Sequence, residues 1–223
     1  IGAVNDNPVI SGLTNKLTIL EDAAVTNLTF TVSDLESAAG SLTLTAVTTA
    51  DTNSVVSVLA VTGTTGSRTL SVTAASNRNG TATIQVVATD PGSLTATNTL
   101  VLTVSPVNDA PSFTLSVPTT VVGTEDTAQT NTAFAVSINA AGVGVTNESS
   151  QKVTFTVTTA STNFFAVQPT ISTNGTLIFK PAANTNGTVN LSVVAKDNGG
   201  TSPGVDTSAA QTFAIQIGTV NDK

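Results

Sequence analysis

The sequence predicts an all-β chain made of two tandem seven-stranded Greek-key β-sandwiches joined by a short Asn-Asp linker. Three observations predict it: apolar residues that alternate with period two, turn-forming residues at regular intervals, and short motifs that recur in the same order in both halves. Alternation sends successive side chains to opposite faces of a sheet, so an apolar residue at every second position marks a half-buried strand.

In the first half, strands are expected near 8–19, 25–33, 42–48, 55–62, 68–74, 81–89 and 96–105. Leu28, Phe30 and Val32 share one face, as do Ala82, Ile84, Val86 and Ala88, and again Leu100, Leu102 and Val104. The second half repeats the pattern in four stripes. These are Phe134, Val136 and Ile138; Val153, Phe155 and Val157; Val189, Leu191, Val193 and Ala195; and Phe213, Ile215 and Ile217. Outward positions are mostly Thr and Ser, whose hydroxyls keep a face wet without charge, and the branched Cβ of Thr suits a pleated surface. Gly63-Thr64-Thr65-Gly66, Asn198-Gly199-Gly200 and Ser202-Pro203-Gly204 supply turns. Short strands at this density, with no helical period, predict a sandwich of immunoglobulin-like type in each half.

The duplication is carried by Val4-Asn5-Asp6, Val107-Asn108-Asp109 and Val220-Asn221-Asp222, spaced by about one domain length. Between them Glu21-Asp22 answers to Glu125-Asp126, Asn79-Gly80-Thr81 to Asn186-Gly187-Thr188, and Ala88-x-Asp90 to Ala195-x-Asp197. The expected repeats are 1–106 and 107–223. Because the chain stops within its own repeat motif, it is expected to be a piece of a longer tandem array.

Composition removes most chemistry. With no Cys, His, Met, Trp or Tyr and only 9% charged residues, the chain has no disulfide framework, no zinc or haem site built on Cys and His, and no Ser-His or Cys-His nucleophile pair. Sugar-cleaving carboxylate pairs usually stand between aromatic walls, and here aromatics are 4%, all of them Phe. A non-enzymatic role is expected. A net charge of −7 disfavours nucleic acid and anionic lipid, and no apolar run of about 20 residues is present for membrane insertion. Seven of the eight Phe residues fall in the second half, so that core is expected to be the more stable.

The fourteen acidic residues are placed rather than scattered. All but Asp51, Glu148 and Asp206 lie in or beside the repeated motifs, at strand ends and linkers. Gathered carboxylates repel unless a cation compensates, and calcium suits them because it takes six to eight oxygens in flexible geometry. A structural alternative stands beside this one. Asn-Asp and Asn-Gly pairs are ordinary turn formers, and Glu21 and Glu125 would discourage edge-to-edge strand pairing.

Val107-Asn108-Asp109-Ala110-Pro111, the two Glu-Asp pairs, Asp34-x-Glu36 and Ala195-Lys196-Asp197-Asn198-Gly199 together resemble the cadherin-like tandem repeats of large bacterial surface proteins. The resemblance covers both halves and the linker. It implies calcium between successive domains, held at the middle junction by Glu21, Asp22, Asn108, Asp109 and Asp197. It implies a second, N-terminal set of Asn5, Asp6, Asp34, Glu36 and Asp90. The acidic tripeptide that cadherins place before their sixth strand is replaced by Ala75-Ser76-Asn77-Arg78 and Ala182-Ala183-Asn184-Thr185. The loop answering to Asp34-x-Glu36 reads Ser137-Ile138-Asn139-Ala140, with Glu148 further on, so the middle site is expected to be poorer in charge than a cadherin junction and to hold fewer ions or bind them more weakly.

The function expected is that of a structural or adhesive repeat of an extracellular surface protein, a rod segment stiffened by calcium and touching neighbouring repeats of its own chain. Alternatives are a filament or sheet subunit that pairs with identical chains through edges such as Leu42-Thr43-Leu44-Thr45, and a module that binds carbohydrate or another cell-surface or matrix ligand.

Overall fold

The computed structural model describes residues 4–116, 118–141 and 148–221. The chain divides into two compact units, Ile1–Val107 and Asn108–Lys223. Both are all-β, and helix is confined to single 3-10 turns. Among the described residues no helix is long and apolar enough to cross a membrane.

In the first unit the strands are β1 (Val9–Ser11), β2 (Lys16–Leu20), β3 (Thr26–Ser33), β4 (Thr43–Asp51), β5 (Val56–Thr62), β6 (Ser67–Ala74), β7 (Gly80–Thr89) and β8 (Thr95–Ser105). They form two four-stranded sheets, ordered β1-β3-β6-β5 and β2-β8-β7-β4. The first expected strand is therefore two. Gly12, at φ 80°, lets the chain leave β3, where β1 pairs antiparallel, and cross to β8, where β2 pairs parallel. Leu13 plugs the crossover, buried in the core. The predicted stripes close that core: Phe30 and Val32 of β3, beside Leu70 and Val72 of β6 in one sheet, and Ile84, Val86, Leu100 and Leu102 of the other are all buried in one cluster. Arg68 is the exception among them, 3% exposed, with its Nη2 donating to the carbonyl of Ala39 at 2.8 Å and so tying down the loop between β3 and β4.

The second unit contains β9 (Ser112–Leu115), β10 (Thr120–Thr124), β11 (Gln129–Asn131), β12 (Ala135–Asn139), β13 (Thr154–Thr158), β14 (Phe165–Ile171), β15 (Leu177–Pro181), β16 (Gly187–Lys196) and β17 (Gln211–Gly218). One sheet runs β10-β17-β16-β13; opposite it lie β11-β15-β14 and the pair β12-β9. Here too the first strand switches partners, from β9 antiparallel on β12 to β10 parallel on β17. The second strand is broken into β11 and β12. Ala133 and Ser137 both take φ 53°, and the register slips between Val136 and Asn139. A left-handed residue and a bulge re-aim the side chains that follow. The expected stripe is altered accordingly: Phe134 and Ala135 are both buried, while Val136 and Ile138 are only half-buried.

Phe residues organise this second core. Phe134 meets Phe213 edge-on at 4.9 Å, Phe113 meets Phe155 at 5.2 Å, and Phe165 contacts both Phe164 and the fully buried Phe179. Such pairs contribute about 0.5–1.5 kcal/mol each beyond the area they bury.

Candidate metal-binding rims

Each unit has a leading rim, where the chain comes in, and a trailing rim, where it leaves. At the first leading rim, the ends of β3 and β7 bring up the carboxylates. Asn5 Nδ2 donates to Asp90 Oδ2 at 2.7 Å, and the other oxygen of Asp90, itself 4% exposed, accepts the Leu94 amide at 2.9 Å. The Asp6 amide donates to Glu36 Oε2 at 3.1 Å. Asp34 fixes that glutamate by accepting the amides of Glu36 and Ser37 on its Oδ1, at 3.1 and 2.7 Å. A side chain that bonds the backbone two residues on closes a turn of its own. All five residues predicted for this set thus share one rim.

The second leading rim repeats the plan with other residues. Asn108, 8% exposed, donates from Nδ2 to Asp197 Oδ1 at 3.1 Å and to the Val205 carbonyl at 2.9 Å, and accepts Gln151 Nε2 at 2.8 Å. Its backbone is pinned as well, its amide to the Pro203 carbonyl at 3.1 Å and its carbonyl by the Val205 amide at 2.8 Å. Two glycines make room. A Cβ on Gly199 would overlap Asn108 Oδ1, and one on Gly204, at φ 117°, would overlap the Asn108 backbone. The Asp109 amide donates to both oxygens of Glu148, at 3.3 and 3.2 Å.

Glu148 supplies a carboxylate that the aligned loop lacks, although the rim still holds one fewer than the first. Asn139 stands where Asp34 does, its Oδ1 accepting the amide two residues on, at Ala141. The glutamate comes from further along the chain but binds the Asp109 amide as Glu36 binds that of Asp6. Sequence reasoning set Glu148 aside because it does not align with Glu36. The wider spacing between the second and third Val-Asn-Asp tripeptides was the available signal, since it marks an insertion able to deliver a displaced side chain.

At the trailing rims, parallel pairing fixes the geometry. Leu20 lies opposite Ser105 in the β2–β8 ladder, so Glu21 comes next to the end of β8. Its amide donates to the Ser105 carbonyl at 2.9 Å and its Oε1 accepts the Val107 amide at 2.8 Å, with the residue 1% exposed. Glu125 accepts the Val220 amide at 2.6 Å in the same way. Asp22, at φ 61°, is exposed and accepts the Asn77 amide at 3.0 Å, and Asp126 has φ 63°. Asp222 lies outside the described residues. Near the second leading rim, Asp206 pairs with Lys196 Nζ at 3.0 Å. The Thr207 hydroxyl first, and Lys196 after it, hold the Asp206 carboxyl below its ordinary range.

Several oxygens on these rims suit a hard cation. Among the described residues, Asp34 Oδ2, Asp197 Oδ2 and Gln151 Oε1 are buried and accept no hydrogen bond. Burying an acceptor without a donor costs about 1–3 kcal/mol, more for a carboxylate, and a cation removes that cost. Against this, no group of three or more acidic side chains converges as a ready metal cluster among the described residues.

The architecture is that of cadherin-like, immunoglobulin-like tandem repeats. Residues 5–103 match the family model described as bacterial Ig domain. Among solved structures, human protocadherin-24 EC1-2 (Form II) is similar at 18% identity and a TM-score of 0.58, with 96% of this chain and 99% of that one covered. Drosophila N-cadherin EC1-4 is similar at 17% identity and a TM-score of 0.55, over 97% of this chain and 50% of that one. Protocadherin Gamma B2 extracellular cadherin domains 1-5 give 14% identity and a TM-score of 0.53, over 98% of this chain and 42% of that one. At these identities the likeness is one of fold. No curated protein matches the chain in sequence.

Proposed function

We propose that the chain is a non-enzymatic, structural or adhesive segment of an extracellular surface protein, stiffened by calcium where one repeat follows another. The fold class supports the coarse part of this reading. What carries the finer part is the repeated arrangement of Asn5-Asp6 on Asp90 and Glu36, and of Asn108-Asp109 on Asp197 and Glu148, with buried acceptor oxygens left over at both.

Asp109, Glu148, Gln151 and Asp197 would hold the ion at the leading rim of the second repeat, while Glu21 and Asp22 would serve the trailing rim of the first. At the first repeat the set is Asn5, Asp6, Asp34, Glu36 and Asp90. Because no cluster of three carboxylates stands ready among the described residues, amide and backbone oxygens would supply much of the coordination. Affinity in the range of extracellular modules, about 10⁻⁴–10⁻³ M, is expected. An ion that binds only the ordered rims stabilises them by mass action.

The test is thermal unfolding across a calcium titration, with magnesium and chelator as controls. A saturable rise in midpoint, reduced in Glu148→Gln and Asp197→Asn, is the expected outcome. An unchanged midpoint at millimolar calcium would sink the reading.

A second reading is lateral pairing of identical chains. Edge strands are normally guarded by Lys, Pro or inward charge. Strand β4 lies at a sheet edge and runs Thr-Leu-Thr-Ala-Val-Thr-Thr-Ala before its first charge at Asp51. Sedimentation that stays monomeric at high concentration would remove this reading.

A further inference from the structure

The chain contains four Asn-Gly pairs, at Asn79, Asn174, Asn186 and Asn198. A glycine after asparagine leaves the backbone nitrogen unshielded by a Cβ, so it can attack the asparagine side chain. The four pairs differ in what surrounds the reacting atoms. Gly80 and Gly187 open β7 and β16, opposite Val104 and Ile217 in their ladders. The Gly175 amide donates to a neutral carbonyl, that of Ser172, at 2.8 Å. Only the Gly199 amide is held by a carboxylate, Asp197 Oδ1, at 2.9 Å. On the other side of the bond to be made, Asn198 Oδ1 accepts the backbone amide of Lys152 at 2.8 Å. Asn198 itself is exposed, with water at hand.

We propose that Asn198 is a self-modifying residue, which deamidates through a succinimide while the second unit is folded. The Gly199 nitrogen attacks Asn198 Cγ as Asp197 takes the amide proton. Charge develops on Oδ1, where the Lys152 N–H already points, which is the placement that stabilises a tetrahedral intermediate. The Cγ–Nδ2 bond then breaks and Nδ2 leaves as ammonia, carrying the transferred proton. Water opens the five-membered ring at either carbonyl, giving aspartate or isoaspartate. The net change is one water consumed and one ammonia released, with no redox partner. The product carries a new carboxylate beside Asp197. Asp197 takes the proton only when it holds no cation, so the step is followed in chelator, where it stands or falls apart from the function proposed above.

The experiment is incubation of the full chain at neutral pH in chelator, folded and in urea, followed by peptide mapping for aspartate and isoaspartate at all four sites. The unfolded chain removes every difference of environment and serves as the internal standard. The expected result is that Asn198 converts at least about tenfold faster folded than unfolded, a modest share of what a placed base supplies. Asn79, Asn174 and Asn186 are expected to be slower folded than unfolded. Asp197→Asn should abolish the folded-state advantage. Equal or slower conversion of Asn198 in the folded chain overturns the proposal, and this comparison within the unaltered chain decides it even if Asp197→Asn fails to fold.

Discussion

Truncating Asn108, itself 8% exposed, to alanine leaves the Val205 carbonyl without its side-chain donor, Gln151 Nε2 without its acceptor and Asp197 Oδ1 without one of its donors. Leaving buried polar groups unmade costs about 1–3 kcal/mol. Asn108→Ala is therefore expected to destabilise the second unit by about 2–3 kcal/mol in urea unfolding. The corresponding Asn5→Ala, at an exposed residue with one bond to Asp90, should cost the first unit about 1 kcal/mol or less. Equal costs would refute the distinction. Asp206 sets an acid response. Its folded-state pKa is lowered from the model-compound value of 3.8, so its contribution is complete above that value and drains as pH falls through the lower folded one. Asp206→Asn should flatten the acid limb of the stability curve measured below about pH 4, while leaving its slope at neutral pH unchanged.

Among the elements, the divided first strand depends on one residue. A Cβ on Gly12 would meet no atom within 4 Å, yet its φ of 80° is a conformation L-residues resist. Gly12→Ala should cost about 1–2 kcal/mol through backbone strain alone. A crystal structure showing β1 and β2 unmoved in that variant would confirm strain as the cause; fusion into one continuous strand would contradict it. This division was not legible in the sequence. The run Val9-Ile10-Ser11-Gly12-Leu13 reads as strand with one glycine, and period two says nothing about which sheet a strand joins. The later strands were legible because both faces of each keep one character throughout, as in Ala82-x-Ile84-x-Val86-x-Ala88. Asn5, Asp6, Asp34, Glu36 and Asp90 could be grouped because their motifs resemble those of cadherin-like repeats. Glu148 and Gln151 could not, because an insertion breaks the register on which such grouping rests. Hydrogen-bond direction at the rims was invisible too, being a property of backbone amides that every residue carries alike.

At the scale of the whole molecule, two cores of different make stand in one chain. Every close aromatic pair among the described residues lies in the second unit, while the first is filled with Leu, Val, Ile and Ala around Phe30. Calorimetry is expected to resolve two transitions, the second unit melting last. A difference of about 1 kcal/mol moves the midpoint of a domain this size by roughly 4–8 °C. A chain whose first unit melts last would refute this. The parallel ladders of β2 on β8 and β10 on β17 matter in another way. In each unit the chain enters by a short antiparallel strand, β1 or β9, then runs through one strand of that ladder and departs through the other. Once that short entry strand has given way, tension along the chain drags the paired strands past each other lengthwise, and five residue pairs carry the load together instead of opening one after another. A ladder loaded in this manner yields by shear rather than by unzipping.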